Sequence, residues 1–230
     1  MNKYFKANAL GNNFILIQTN HLDKINSNFI LKINNYYSGI GANQVLAIDL
    51  ENNVKIWDED GSEARLCGNG LRCLAKLLNK PEVVFHTRLA GDVFLKNIND
   101  DLVSLQITQK PQLSFDKDHY LVNVGNLNKI FFVQDNLSID INSYANNTYN
   151  YSFISNKENK WHIRTIESCT KQETYACGSA ALASAFVLKY LNHKDLTLNY
   201  KLGAISHLFE NNNLIQIGPA KIIAEILLFN

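Results

Sequence analysis

Short apolar runs separated by polar, glycine-containing turns dominate the chain, and the apolar period changes to a helical one in only a few places. Strand-like runs at 4–6 and 14–18 flank Gly11-Asn12, which reads as a turn. Residues 22–37 place Ile25, Phe29, Ile30 and Ile33 on one helical face, and Gly39-Ile40-Gly41 predicts the helix end before a strand at 45–50. A strand at 54–57 turns through 58–62 into a second helical pattern carried by Leu71, Leu74, Ala75, Leu77 and Leu78. After Pro81 the pattern predicts strands at 83–86, 91–95 and 102–108, then a mostly polar boundary segment, 109–120, with Pro111. Beyond it come a strand, the Gly125-Asn126 turn and another strand, an Asn-rich turn at 142–150, and strands at 151–155 and 161–166. A third helical pattern covers Ala181, Leu182, Ala185, Phe186, Val187 and Leu188, followed by strands at 196–200, 204–209 and 214–217. Gly218-Pro219 reads as a break, and the last run, 222–229, as a return to the first half.

Two landmarks recur in the same order. Gly11 and Gly125 lie 125 − 11 = 114 positions apart, and Cys67 and Cys177 lie 177 − 67 = 110 apart, which implies an internal duplication. The expected domains are 1–109 plus 222–230, carrying Cys67, and 110–221, carrying Cys177. A chain of 230 residues that is 46% hydrophobic and 19% charged reads as soluble and globular. Its net charge of +1 gives no electrostatic case for nucleic acid or an anionic membrane. The mixed N-terminus with Lys3 and Lys6 lacks a signal-peptide pattern, and the apolar stretch 176–188 is too short to span a bilayer, so the expected location is cytoplasmic.

The four cysteines (Cys67, Cys73, Cys169, Cys177) do not make a disulfide scaffold in a chain this long and lack Cys-x-x-Cys pairs. The six histidines contain no helical i, i+4 pair, and no metal site is expected. Cys67 and Cys177 each precede a glycine and then a helical pattern, and a glutamate lies four residues before each (Glu63, Glu173). A helix N-terminus favours a thiolate and holds an anion. Hydrolytic cysteine chemistry calls for a histidine partner, and neither cysteine has one nearby in sequence. Duplicated halves favour inversion instead: one thiolate removes a proton from a carbon and the opposite thiol supplies one to the other face, without a cofactor. Backbone N–H groups at Gly68, Asn69, Gly178 and Ser179 are placed to clamp the carboxylate of an amino acid, the electrostatic help such a carbon acid needs. The bland alternative is two inert cysteines packed at helix starts, which the repeated Glu-x-x-x-Cys-Gly context disfavours. Cys73 is expected on the buried side of its helix with Leu74 and Leu77, and Cys169 partly exposed, both as bystanders.

Gly11-Asn12-Asn13-Phe14, Gly39-Ile-Gly41-Ala-Asn43-Gln44, Asp60-Gly-Ser-Glu-Ala-Arg-Leu-Cys67-Gly-Asn-Gly-Leu-Arg-Cys73, Gly125-Asn126 and Glu173-Thr-Tyr-Ala-Cys177-Gly-Ser resemble diaminopimelate epimerase. The resemblance covers nearly the whole chain. It implies a pyridoxal-phosphate-independent amino-acid epimerase of lysine biosynthesis. It also implies an α/β (α+β) fold of two pseudo-symmetric domains, each a mixed strand barrel around a central helix, with the active site between them. It makes Cys67 and Cys177 the acid/base pair and Asn12, Gln44, Asn69, Asn126 and Asn150 substrate contacts. The expected partner is a small-molecule amino-acid substrate, and the expected assembly a homodimer. The chain also departs from the family. Asp58 stands where the family has a substrate-binding asparagine, and Asn128 where it has an active-site histidine. Glu167-Ser168 replaces Glu-Arg, so Ser168 takes the place of the arginine that in the family holds the distal carboxylate, and one residue is inserted before Glu173. These changes favour a basic amino acid such as lysine, ornithine, arginine or histidine, with diaminopimelate as the close alternative and Lys171 as the cation able to replace the arginine. Two further readings are a non-catalytic amino-acid-binding relative and an isomerase of the phenazine-biosynthesis type.

Overall fold

The computed structural model describes residues 2–108, 110–211 and 213–228. The chain divides into two compact units, Met1–Thr108 with Pro219–Asn230, and Gln109–Gly218. Each is an α+β body in which strands enclose one buried helix.

In the first unit β1 (Lys3–Ala9) and β2 (Asn12–Gln18) form an antiparallel hairpin. Its tight turn is Leu10-Gly11, both with positive φ, so the turn lies one residue earlier than the sequence suggests and Asn12 already belongs to β2. The helix expected over 22–37 is shorter: a 3-10 turn at Leu22–Lys24 is followed by α1 (Ser27–Asn34), capped by the Asn26 side chain accepting from Phe29 N at 3.0 Å. Ile25 therefore lies between the two helical pieces, yet it still joins Ile30, Ile33, Val45, Ala47 and Trp57 in one apolar cluster. β3 (Gln44–Ile48) runs parallel to β2, and β4 (Asn53–Asp58) antiparallel to β3. Then comes α2 (Gly68–Leu78), and after it β5 (Glu82–Thr87), β6 (Gly91–Asn97) and β7 (Leu102–Ile107). The β4–β5 pair is parallel, and the β5–β6 and β6–β7 pairs are antiparallel.

The second unit repeats that series. The segment read as a polar boundary holds β8 (Gln112–Asp116), a hairpin partner of β9 (His119–Asn123). It escapes a hydrophobic reading because most of its side chains are exposed, as suits an edge strand. β10 (Leu127–Phe132) pairs antiparallel with β9, and β11 (Asn150–Lys157) pairs parallel with β10. The Asn-rich segment before β11 contributes a short 3-10 turn at Ile141–Tyr144, beyond the turn expected there. β12 (Lys160–Ile166) is antiparallel to β11 and carries the two-residue β13 (Glu173–Thr174) on its far edge. α3 (Gly178–Tyr190) leads to β14 (Leu198–Tyr200), parallel to β12, and then to β15 (Gly203–Glu210) and β16 (Asn213–Pro219), each antiparallel to its predecessor. Gly218-Pro219 does not end the strand: β16 runs through Pro219, and only Ala220 separates it from β17 (Lys221–Ile226). β17 returns to the first unit and pairs with β1, Tyr4 opposite Ile226. Phe229, the end of the expected last run, lies outside the described residues.

Following the ladders from β1 through β7 gives antiparallel, parallel, antiparallel, parallel, antiparallel, antiparallel. The path β9, β10, β11, β12, β14, β15, β16 gives the same series. Each unit adds one more strand on the free edge of its first, β17 on β1 and β8 on β9. The duplication seen in two sequence landmarks is thus a duplication of topology. α2 packs against β1, β2, β3, β6, β7 and β17, and α3 against β9, β10, β11 and β15. Contact with strands from both ends of the series means that each sheet curls round its helix, which explains why α3 is apolar on nearly all sides. Among the described residues, no helix is long and apolar enough to cross a membrane.

Candidate active site

Both singled-out cysteines occupy the same position in their units. Cys67 is the N-cap of α2, and its Sγ accepts from Gly70 N at 3.3 Å. Cys177 is the N-cap of α3, and its Sγ lies 3.4 Å from Ser179 Oγ. Cys67 is half-buried and Cys177 buried. An extended cysteine followed by glycine lets the chain enter a helix already surrounded by strands. Gly70 shows how tight that entry is: a Cβ there would lie 2.6 Å from Leu46 Cδ1 and 3.2 Å from Cys67 Sγ.

The repeated glutamates have a structural explanation. Glu63 forms a β-bridge with Trp57 of β4 and an ion pair with Arg88 at 2.8 Å. Glu173 pairs in β13 with Ile166 of β12 and takes a two-pronged ion pair from Arg164, both contacts at 2.7 Å. Arg164 also donates to the carbonyls of Asn136 and Ile139. In each unit the glutamate therefore ties the segment leading to the cysteine back onto the strand that precedes it.

The expected substrate contacts fall at matching strand ends. In the first unit Asn12 opens β2, Gln44 opens β3 and Asp58 closes the antiparallel β4. In the second, Asn126 directly precedes β10, Asn150 opens β11, and Glu167-Ser168 directly follows β12. Gln44 and Asp58 are register partners, joined by Gln44 Nε2 donating to Asp58 Oδ1 at 2.6 Å. Burial, followed by the nearby Asp60 charge, pushes the Asp58 carboxyl above its usual range against the lowering effect of Gln44. Asn69 is buried in the first turn of α2 and accepts from the guanidinium of Arg72, a fully buried residue.

Around Cys177 the polar groups form one buried network. Asn150 Nδ2 lies 3.9 Å from Cys177 Sγ, 3.4 Å from Ser179 Oγ and 3.3 Å from Asn128 Oδ1, while Asn150 Oδ1 accepts from Ser168 N at 3.0 Å. Asn126 Nδ2 donates to Ser179 Oγ at 3.2 Å, and Asn128 Nδ2 to Asn126 O at 2.8 Å. Asn128, in the place of the expected histidine, thus serves as both donor and acceptor within the network. Burial, the Glu167 charge and a hydrogen bond with the Glu167 side chain push the Cys177 thiol well above the ordinary thiol range, so it is protonated at neutral pH. Glu167 also accepts from the exposed Cys169 at 3.4 Å. Cys73 is fully buried, and its thiol is raised to about 12 by burial.

Three residues behind Cys177 were not foreseen. Tyr200 Oη donates to Cys177 O at 3.0 Å, Gln216 Nε2 donates to Gly178 O at 2.8 Å, and His207 contacts Gln216. The signal is present in the strands: Gln216 and His207 fall on the inward face beside Leu214 and Ile205, where alternation predicts apolar side chains.

A family model for diaminopimelate epimerase matches residues 4–104. A diaminopimelate epimerase from Bartonella quintana is 31% identical over 209 residues, covering 73% of this chain and 72% of that protein. One from Flavobacterium psychrophilum is 26% identical over 97% of this chain and 98% of its own length. The fold also matches a phenazine biosynthesis protein of the PhzF family from Enterococcus faecalis, with a TM-score of 0.71 at 15% identity, over 99% of this chain and 100% of that one. That likeness is one of fold. The sequence match to the curated epimerases, carried through the first helix and its Cys-Gly start and extending over most of the second unit, goes further: this chain belongs to the diaminopimelate epimerase family, whose members are isomerases.

Proposed function

We propose that the protein is a cofactor-independent amino-acid racemase or epimerase in which Cys67 and Cys177 act on opposite faces of one α-carbon. The observation that carries this reading is that each Cys-Gly pair caps the buried central helix of its own unit, at the same point of a duplicated topology. The protonated state of Cys177 supports its role as the acid in one direction, with Cys67, at the N-terminus of α2, as the base. In the reverse direction the roles exchange. The N–H groups of Gly68, Asn69, Gly178 and Ser179 hold the α-carboxylate, and Asn12, Gln44, Asn126 and Asn150 orient the substrate.

For the side chain, a basic amino acid fits best, with diaminopimelate as the alternative. Asp58 brings a carboxyl where the family has an amide, and Ser168, bonded to Asn150, brings no positive charge. Arg164 is committed to Glu173 and two carbonyls and is not available as a substitute. Lys171 is exposed in the loop between β12 and β13. The test is incubation in heavy water with L-lysine, L-ornithine, L-arginine, L-histidine and LL-diaminopimelate, reading α-deuterium by mass spectrometry and inversion by chiral chromatography. Exchange with inversion on the basic amino acids supports the full reading. Preference for diaminopimelate would assign the distal site to Lys171, and no exchange on any of them would leave a binding protein.

A further inference from the structure

Behind the start of α3 lies a buried cross-strand pair that proton transfer does not use. His207 on β15 and Gln216 on β16 are register partners, 4% and 1% exposed. His207 Nδ1 lies 2.9 Å from the carbonyl oxygen of Leu196. A carbonyl only accepts, so Nδ1 donates to it, and Nε2 is left to present its lone pair to the amide donor that faces it. Gln216 Nε2 stands 3.1 Å from that lone pair and 2.8 Å from Gly178 O. Its two N–H groups are thus directed at two acceptors. Turning the amide over would set Oε1 against a carbonyl oxygen and a ring lone pair together, so the contacts to Gly178 O and His207 fix the orientation of Gln216. The adjacent carbonyl, that of Cys177, takes the Tyr200 hydroxyl at 3.0 Å. Consecutive carbonyls at the start of α3 are therefore held by side chains from the surrounding strands.

We propose that His207 and Gln216 are positioning residues for Cys177. They hold the Cys177-Gly178-Ser179 backbone so that the thiol and the N–H groups that follow keep one orientation toward substrate. The catalytic consequence rests on the role proposed for Cys177, so the deciding measurement reads the thiol itself. His207→Leu removes the acceptor, Gln216→Leu removes the donor, and His207→Gln retains a side-chain acceptor toward Gln216. Each variant is checked for folding by circular dichroism and pulse-labelled with methyl methanethiosulfonate. Peptide mass spectrometry then gives the ratio of Cys177 to Cys67 modification. The leucine variants are expected to raise this ratio at least about threefold and His207→Gln to restore most of it. On whichever of L-lysine or LL-diaminopimelate is turned over, kcat should fall about tenfold or more with KM changed less than about threefold. An unchanged ratio in a folded variant overturns the proposal, as does an equal rise at both cysteines, which would mean general loosening. If the leucine variants do not fold, Gln216→Met decides: it keeps the length of the side chain and removes the donor to Gly178 O, and the ratio must rise. Absence of turnover on every amino acid would remove the racemase reading and leave the labelling ratio to judge the positioning.

Discussion

Gln44 and Asp58 face each other across the β3–β4 ladder, the amide donating to the carboxyl at 2.6 Å. The pair places a titratable group, raised by burial, at the end of β4. An acid whose folded pKa is raised is stabilised by folding only in its protonated form. Its contribution is complete below the unfolded pKa and is lost as pH rises through the folded value. Asp58→Asn should therefore raise the melting temperature more at pH 7 than at pH 4, and shift substrate preference from basic amino acids toward diaminopimelate. An equal effect at both pH values would contradict the buried-carboxyl account.

Replacing Cys67 or Cys177 with alanine should abolish inversion, since one remaining group exchanges a proton on one face but cannot complete the other. Chiral chromatography of the product checks this. Alanine at Cys73 should instead cost about 1 kcal/mol of stability, because it removes a buried thiol from a packed helix face, and leave turnover within a few-fold of wild type. Alanine at the exposed Cys169 should change the unfolding midpoint little.

Burial is the largest cause that raises the Cys177 thiol, and Glu167 adds to it by its charge and by a hydrogen bond. Glu167→Gln removes the charge, so the pKa should fall toward the ordinary range. The pH–rate curve for Cys177 alkylation should then move to lower pH in the variant. A curve that stays in place would mean that burial alone sets the thiol.

Gly70 donates to Cys67 and has no room for a side chain against Leu46. Gly70→Ala should cost about 1–3 kcal/mol in urea unfolding, as overpacked core sites do, and displace the Cys67 thiol. Turnover should drop with it. A variant with wild-type stability would show that β3 yields more easily than its buried Leu46 suggests.

The features legible in the chain were those with short-range signatures. Cys-Gly before an apolar helical run gave both central helices, and alternation gave most strands. β8 was not legible, because an exposed edge strand lacks an apolar face to announce it. Gly218-Pro219 misled because proline at a strand end costs no ladder bond where its nitrogen needs no partner. The glutamates repeated before each cysteine marked equivalence without revealing its cause. Their partners, Arg88 and Arg164, lie 25 residues after Glu63 and 9 before Glu173, so no common spacing records the shared role. His207 and Gln216 were invisible for a related reason: inward polar residues in strands are meaningful only once their partners are known.

The pairing of Tyr4 with Ile226 makes the first unit discontinuous, closed by a strand that follows the whole second unit in the chain. During synthesis, β1 through β7 emerge early but lack β17, while everything from β8 to β16 is available before β17 leaves the ribosome. The second unit can therefore be complete while the first still has the outer edge of β1 open. Closing that edge joins residues more than 200 positions apart, a contact whose loop entropy grows only slowly with length but which cannot form before the last strand exists. Order of birth and order of completion are thus reversed: the Cys177 unit, made second, can be finished first, and the Cys67 helix gains its last enclosing strand at the end.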